Sequence, residues 1–188
     1  MNFDKVKALC KKAKVITLFD TDDCQWLGDD NAIYPLYEHP EYTADTIANV
    51  LSLDEKKKAE MRYNIGKFPS TLNCNDTVED EKPCGRFGIN VFWMGESLIP
   101  LQTSQGLKVI SSKYITPVIK DNYEFYERKT PNGNTYIAIK VGFMLEAIVF
   151  PSQAYVSESL VNELYNLAES ASEAITNIMK SEYEDSDD

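Results

Sequence analysis

Asp20 and Asp22 stand one residue apart where the apolar run Val15-Ile16-Thr17-Leu18-Phe19 ends. Paired carboxylates at the end of an apolar strand are candidates for chemistry. The same residues suit a turn, because Asp20-Thr21-Asp22-Asp23 is a cluster of turn formers and Cys24-Gln25-Trp26-Leu27 resumes as a strand. The turn is the reading these residues favour. His39, the only histidine, precedes Pro40 with no serine elbow or cysteine pattern nearby, which predicts a loop role rather than general-base catalysis. Phosphate-cradling glycine motifs are missing, and Gly85-Arg86-Phe87-Gly88 lacks a strand-to-helix context. Cys10, Cys24, Cys74 and Cys84 are irregularly spaced without a C-x-x-C, so free thiols are expected; a Cys74–Cys84 pairing, or a metal shared with His39, is the minor alternative. No catalytic residue, metal or cofactor is expected, and the chain reads as a binding protein.

The elements that position these residues follow from periodicity. Val6, Leu9, Cys10 and Ala13 at helical spacing predict a basic amphipathic helix over 1–14, with no apolar h-region of a signal peptide. Strands over 15–19, 24–27 and 32–36 form a meander, and a helix capped by Thr43 follows. Ser52 with Glu55 has capping-box spacing for a further helix to about Tyr63. Residues 64–88 read as an ordered loop or linker and the domain boundary, between a helix–meander–helix half over 1–63 and a strand-rich half over 89–180. In the second half, Asn132-Gly133 joins strands 123–128 and 136–141 as a hairpin. A strand over 143–150 and a helix over 157–180 close the fold, the helix striped by Leu160, Leu164, Leu167, Ala168, Ala171, Ile175 and Ile178; the acidic tail 181–188 is expected to be disordered. The aromatics on or beside strands, among them Trp26, Trp93, Tyr34 and Tyr37, are expected to pack in the core and on sheet faces. The predicted class is α+β, with antiparallel sheet and amphipathic helices.

One pattern is written twice. Ala32-Ile33-Tyr34-Pro35, then Tyr42 and the helix after Thr43, parallels Ala147-Ile148-Val149-Phe150-Pro151, then Tyr155 and the helix after Ser157. An internal repeat implies a core assembled from two similar layers.

Charge is distributed unevenly. The chain of 188 residues carries a formal charge of −11, with no apolar run long enough to span a bilayer, so a cytoplasmic protein with no membrane partner is expected. Asp76, Glu79, Asp80 and Glu81 crowd one loop, while Lys5, Lys11 and Lys12 lie on the first helix and Lys56, Lys57 and Lys58 on the third. A dipolar molecule follows.

Three resemblances bear on function. Leu18-Phe19-Asp20-Thr21-Asp22-Asp23 resembles the nucleophile motif of haloacid-dehalogenase-like phosphotransferases, which implies Asp20 as nucleophile and Asp22 as proton carrier. That family places a helix behind the motif, where this chain resumes as a strand. The repeated strand, turn, strand, proline and helix over about 15–53 and 123–167 is similar to the unit of DNA sliding clamps, implying a non-catalytic protein whose Lys5, Lys11, Lys12, Lys56, Lys57 and Lys58 face duplex DNA. The tract Gln25-Trp26-Leu27-Gly28-Asp29 leading into Ala32-Ile33-Tyr34-Pro35-Leu36 resembles small proteins of phages and prophages of Gram-positive gut bacteria. It implies work in a bacterial host cell, as a replication accessory or as an anti-CRISPR-type inhibitor. In the leading expectation Asp76, Glu79, Asp80, Glu81, Glu158 and Glu163 contact a host effector nuclease or other DNA-handling protein, presenting carboxylates where phosphates are expected.

Overall fold

The first helix, α1 (Phe3–Ala13), is capped by Asn2, whose side chain accepts the Lys5 backbone N–H, and it stops where Lys14 turns left-handed at φ 55°. Val6 and Cys10 are its buried stripe. The structure, a computed structural model, describes residues 1–118, 122–152 and 156–184, and of the side chains after Ser170 only that of Glu173. Tyr155 of the second pattern and the end of the acidic tail lie outside the described residues, as do the side chains at the stripe positions Ala171, Ile175 and Ile178.

Three strands follow as an antiparallel meander, β1 (Val15–Asp20), β2 (Gln25–Gly28) and β3 (Ala32–Pro35). The aspartate cluster forms its first turn: the Thr21 N–H donates to the Cys24 carbonyl at 3.0 Å, and the Thr21 hydroxyl donates to the same oxygen at 2.6 Å. Thr43 caps α2 (Ala44–Val50) in a reciprocal box with Thr46. The next helix, α3 (Glu55–Glu60), starts at Asp54, which accepts the Lys57 N–H, and not at Ser52, whose φ of 53° lies outside helical geometry. It ends before Tyr63, because the chain enters β4 (Arg62–Lys67), an edge strand parallel to β1.

The remaining strands are β5 (Lys82–Pro83), β6 (Gly85–Arg86), β7 (Val91–Trp93), β8 (Glu96–Thr103), β9 (Gly106–Ser111), β10 (Tyr123–Lys129), β11 (Thr135–Val141) and β12 (Met144–Val149), before the closing helix α4 (Glu158–Glu184). Eight of the strands form one sheet in the order β4-β1-β2-β3-β12-β11-β10-β5. In the second sheet β9 covers one edge of β8, while β6 and β7 lie end to end on the other. The fold is α+β with predominantly antiparallel pairing.

The two Ala-Ile runs meet at the centre of the large sheet, where Ile33 pairs with Ile148 and Ala32 with Val149 in antiparallel register. In strand order and pairing sense the meander β1-β2-β3 on one side of the Ile33–Ile148 pair is matched by the meander β12-β11-β10 on the other. The relation stops at the edges, since β4 is parallel to its neighbour and β5 antiparallel.

Alternation along the strands separates two cores. One face contributes Ile16, Leu18, Leu27, Tyr34, Ile137 and Ile139, and α1, α2 and the second sheet cover it with Val6, Cys10, Ile47, Leu51, Ile99 and Leu101. The other face contributes Trp26, Ile33, Tyr136, Ala138, Leu145 and Ile148, covered by Phe68, Leu72 and Cys74. Residues 64–88 are therefore not a linker between halves: they supply three strands and the cover of the second core. The boundaries at 63/64 and 88/89 fall inside a sheet that takes strands from both sides.

The closing helix presents a different stripe from the expected one. Val161 is buried and Tyr165 meets Phe87 edge-on at 6.0 Å, while Leu160 and Leu167 are exposed. Residues 181–184, expected to be disordered, continue the helix.

At the tip of the β7–β8 hairpin, Met94 (φ 49°) and Gly95 (φ 82°) make a two-residue turn with both residues left-handed, a geometry that favours asparagine at the first position. Met94 is 90% exposed, beside exposed Phe92 and Trp93. Replacing Met94 with asparagine is expected to stabilise the protein by about 1 kcal/mol and raise its thermal midpoint by about 3 °C. Calorimetry checks this, and an unchanged midpoint would mean that the turn places no strain on Met94.

Candidate functional site

An antiparallel meander returns to the same end of a sheet after every second strand. The turn leaving β1 and the loop leaving β3 therefore lie side by side, and Gln25 ties them together. Its side-chain nitrogen donates to Asp20 Oδ1 at 2.7 Å and to the Tyr42 carbonyl at 3.0 Å, while its oxygen accepts the Tyr42 N–H at 2.6 Å. Phe3 supports the loop from behind, its ring 4.5 Å from that of His39 and stacked on that of Tyr42 at 6.0 Å.

This latch gathers Asp20, Asp22 and Asp23 from the turn and Glu38 and Glu41 from the loop around one cavity of about 560 Å³. Among the described residues, none of the five is ion-paired with a lysine or arginine. No group of three or more His, Cys, Asp or Glu among the described residues is arranged to hold a metal ion. Tyr37 lines the same cavity, its phenol pushed up to about 12 by burial and by the carboxylates of Asp76 and Glu146. Asp76 in turn accepts the Leu145 N–H of β12 at 2.7 Å. The acidic surface thus continues toward the β11–β12 turn.

The acidic residues expected to meet a partner divide into two groups. Glu81 is not available at the surface: its carboxylate receives Arg128 Nε at 2.8 Å and Nη2 at 2.6 Å, and Lys140 Nζ at 2.6 Å. Burial pushes its carboxyl up, but the bonds from Lys140 and Arg128 outweigh that and hold it below the usual glutamate range. Asp76 is engaged at the Leu145 backbone. Glu79 and Asp80 are exposed on the same segment, and Glu158 and Glu163 are exposed on α4, where Glu163 accepts the Ser159 hydroxyl at 3.2 Å. The five carboxylates at the end of β1 were not among the expected partner contacts.

Lys11, Lys12 and the α3 lysines lie near the opposite end of β1, a strand about 20 Å long, whereas Lys5 sits in the first turn of α1, two residues from Phe3 at the acidic end. Lys11, Lys14 and Lys57 surround a cavity of about 270 Å³ between the end of α1 and α3. Lys57 pairs with Asp54 at 3.3 Å and Lys58 with Glu55 at 2.9 Å, within their own helix. Lys5, Lys11, Lys12 and Lys56 are exposed and have no ion-pair partner among the described residues.

The turn geometry places a returning strand behind Asp20 and Asp22, where the phosphotransferase motif has a helix. All four thiols are held above the ordinary cysteine range, first by burial, with Cys10 and Cys84 pushed up to about 12. At neutral pH they stay protonated and weakly nucleophilic. Arg86 lies over the rings of Tyr123 and Phe125, 5.2 Å from each, in place of a phosphate cradle. Trp26 and Tyr34 are core residues as expected, but Tyr37 and Trp93 are exposed rather than packed. No helix among the described residues is long and apolar enough to cross a membrane.

Compared with known proteins, the sequence matches no family model and no curated protein, and the fold matches no solved structure.

Proposed function

We propose that this chain is a non-enzymatic, phage-type binding protein that inhibits a host nucleic-acid-targeting nuclease by covering its nucleic-acid site. The observation that supports this reading is the set of five carboxylates converging from two loops on one cavity without a neutralising cation among the described residues. Such a group of carboxylates suits a surface built for phosphates, such as the positively charged channel of a guide-loaded CRISPR effector. Glu79 and Asp80 form a separate acidic patch, in a second cavity with Thr130 and Pro131 of the β10–β11 turn.

The test offers the purified protein to a guide-loaded CRISPR effector nuclease with its target DNA. Inhibition of cleavage is expected, and it should weaken about tenfold or more when Asp22, Asp23, Glu38 and Glu41 are changed together to their amides. A second reading, a sliding-clamp-like accessory that binds DNA, draws on exposed Lys5, Lys11, Lys12 and Lys56. It predicts salt-sensitive binding of bare duplex DNA, weakened by Lys56→Glu. Silence in both assays would overturn both readings.

A further inference from the structure

Beside the acidic cavity, the β11–β12 turn consists of Gly142 and Phe143, since Val141 pairs directly with Met144. Gly142 takes φ 60°, as the first position of such a turn favours, and the second position accepts any polar residue. This chain has phenylalanine there, 85% exposed, followed by Met144 at 47%. Antiparallel pairing of β3 with β12 at Ile33–Ile148 and Ala32–Val149 carries the chain after Pro35 toward the start of β12, and Tyr37 there is itself 41% exposed. Asp76 stands beside both, its carboxylate bonded to the Leu145 N–H and close enough to Tyr37 to raise its phenol.

We infer that Tyr37, Phe143 and Met144 form an apolar anchor that docks, together with the carboxylates around it, onto a protein surface carrying a cationic rim around an apolar recess. The inference rests on the acidic end being the contact surface. Desolvated aromatic and methionine anchors inside a charged rim are the usual anatomy of a protein interface. Phosphate-rich occupants do not fit, because nucleic acid and anionic lipid are repelled by the carboxylates that border the anchor. A purely cationic partner would leave three apolar side chains in water. The partner that satisfies both halves of the surface is amphipathic: arginine or lysine beside leucine, methionine or an aromatic residue.

Two synthetic helical peptides of equal charge distinguish these cases by titration calorimetry, one of arginine and leucine in amphipathic order, the other of arginine, serine and alanine. The intact protein is expected to bind the first about tenfold more tightly. Phe143→Ser, at an exposed turn position where the fold tolerates it, should erase that preference while leaving the salt dependence unchanged. Equal affinities for the two peptides, binding to neither, or a preference that survives Phe143→Ser would each overturn the inference. The same variant in the nuclease assay separates the two proposals. Inhibition unaffected by Phe143→Ser would overturn the anchor and leave the inhibitor reading standing. Peptide discrimination without inhibition would do the reverse.

Discussion

Replacing Arg128 with methionine is expected to destabilise the protein by about 3–5 kcal/mol and to release residues 73–81 from the sheet. The Arg128 side chain is 1% exposed. Besides both bonds to Glu81, it donates to the carbonyls of Asn73 at 3.0 Å, Asn75 at 2.9 Å and Asp76 at 3.2 Å. One guanidinium therefore satisfies three backbone acceptors and a carboxylate where water has little access. Methionine keeps the volume but leaves those acceptors without donors and Glu81 with Lys140 alone. Urea denaturation gives the loss, and hydrogen exchange over 72–81 shows its location. Lys56→Met, exposed and without an ion-pair partner among the described residues, serves as the control and should change stability by no more than about 0.5 kcal/mol. A midpoint for Arg128→Met matching that of Lys56→Met would remove this arginine from the account of the second core.

The same cluster sets the acid limit of stability. Glu81 is held below the ordinary glutamate value of 4.5, so folding favours its charged form. Its contribution is fully present above the unfolded value and is lost as pH falls through the folded one. Glu127 acts in the same direction: burial raises its carboxyl, but bonds from the Ser104 hydroxyl and backbone N–H outweigh it. Stability should therefore decline as pH drops below about 4.5, and less steeply in Glu81→Gln, which has already lost the pairing at neutral pH.

Gly28→Ala is expected to be as damaging, costing about 3 kcal/mol or more, for a steric reason. A Cβ at this position would lie inside the contact radius of the Ala32 carbonyl oxygen and press on Ala32 C and Ile33 Cα, all backbone atoms of the strand paired with it. Gly28 is also where α1 meets the sheet, since the Cys10 thiol donates to its carbonyl at 3.1 Å. No side-chain rotation relieves such a clash, so β2 and β3 would have to separate. Gly66→Ala, open on all sides, is the matched control. If both variants show the same thermal midpoint, the close approach of β2 and β3 is not a constraint.

Most local elements were legible in the sequence because their signals are local. Helical spacing gave α1, Thr43 gave the start of α2, and Asn132-Gly133 gave the β10–β11 hairpin, closed by the Thr130 N–H on the Asn134 carbonyl at 2.9 Å. The aspartate cluster read as a turn and is one. Ser52 misled because capping-box spacing names no geometry: Asp54 competes for the same helix, and its carboxylate reaches the Lys57 N–H.

The segment 64–88 was not legible as part of the fold, and the reason is physical. The apolar residues with which it covers the second core, Phe68, Leu72 and Cys74, share no single helical or strand period, and they are partly buried only because an eight-stranded sheet offers them a face. The candidate site divides the same way. The sequence by itself determined the charges, the turn-forming aspartates and the α+β pattern, since composition and short-range spacing are enough for these. Tertiary structure alone decided which charges act together. Glu81 reads as a surface acid, yet it is spent on Arg128, 47 residues away, whereas Asp20 and Glu41 share a cavity because antiparallel pairing returns β3 to the end where β1 stopped. Strand order is set by contacts between distant residues, and no local spacing encodes it.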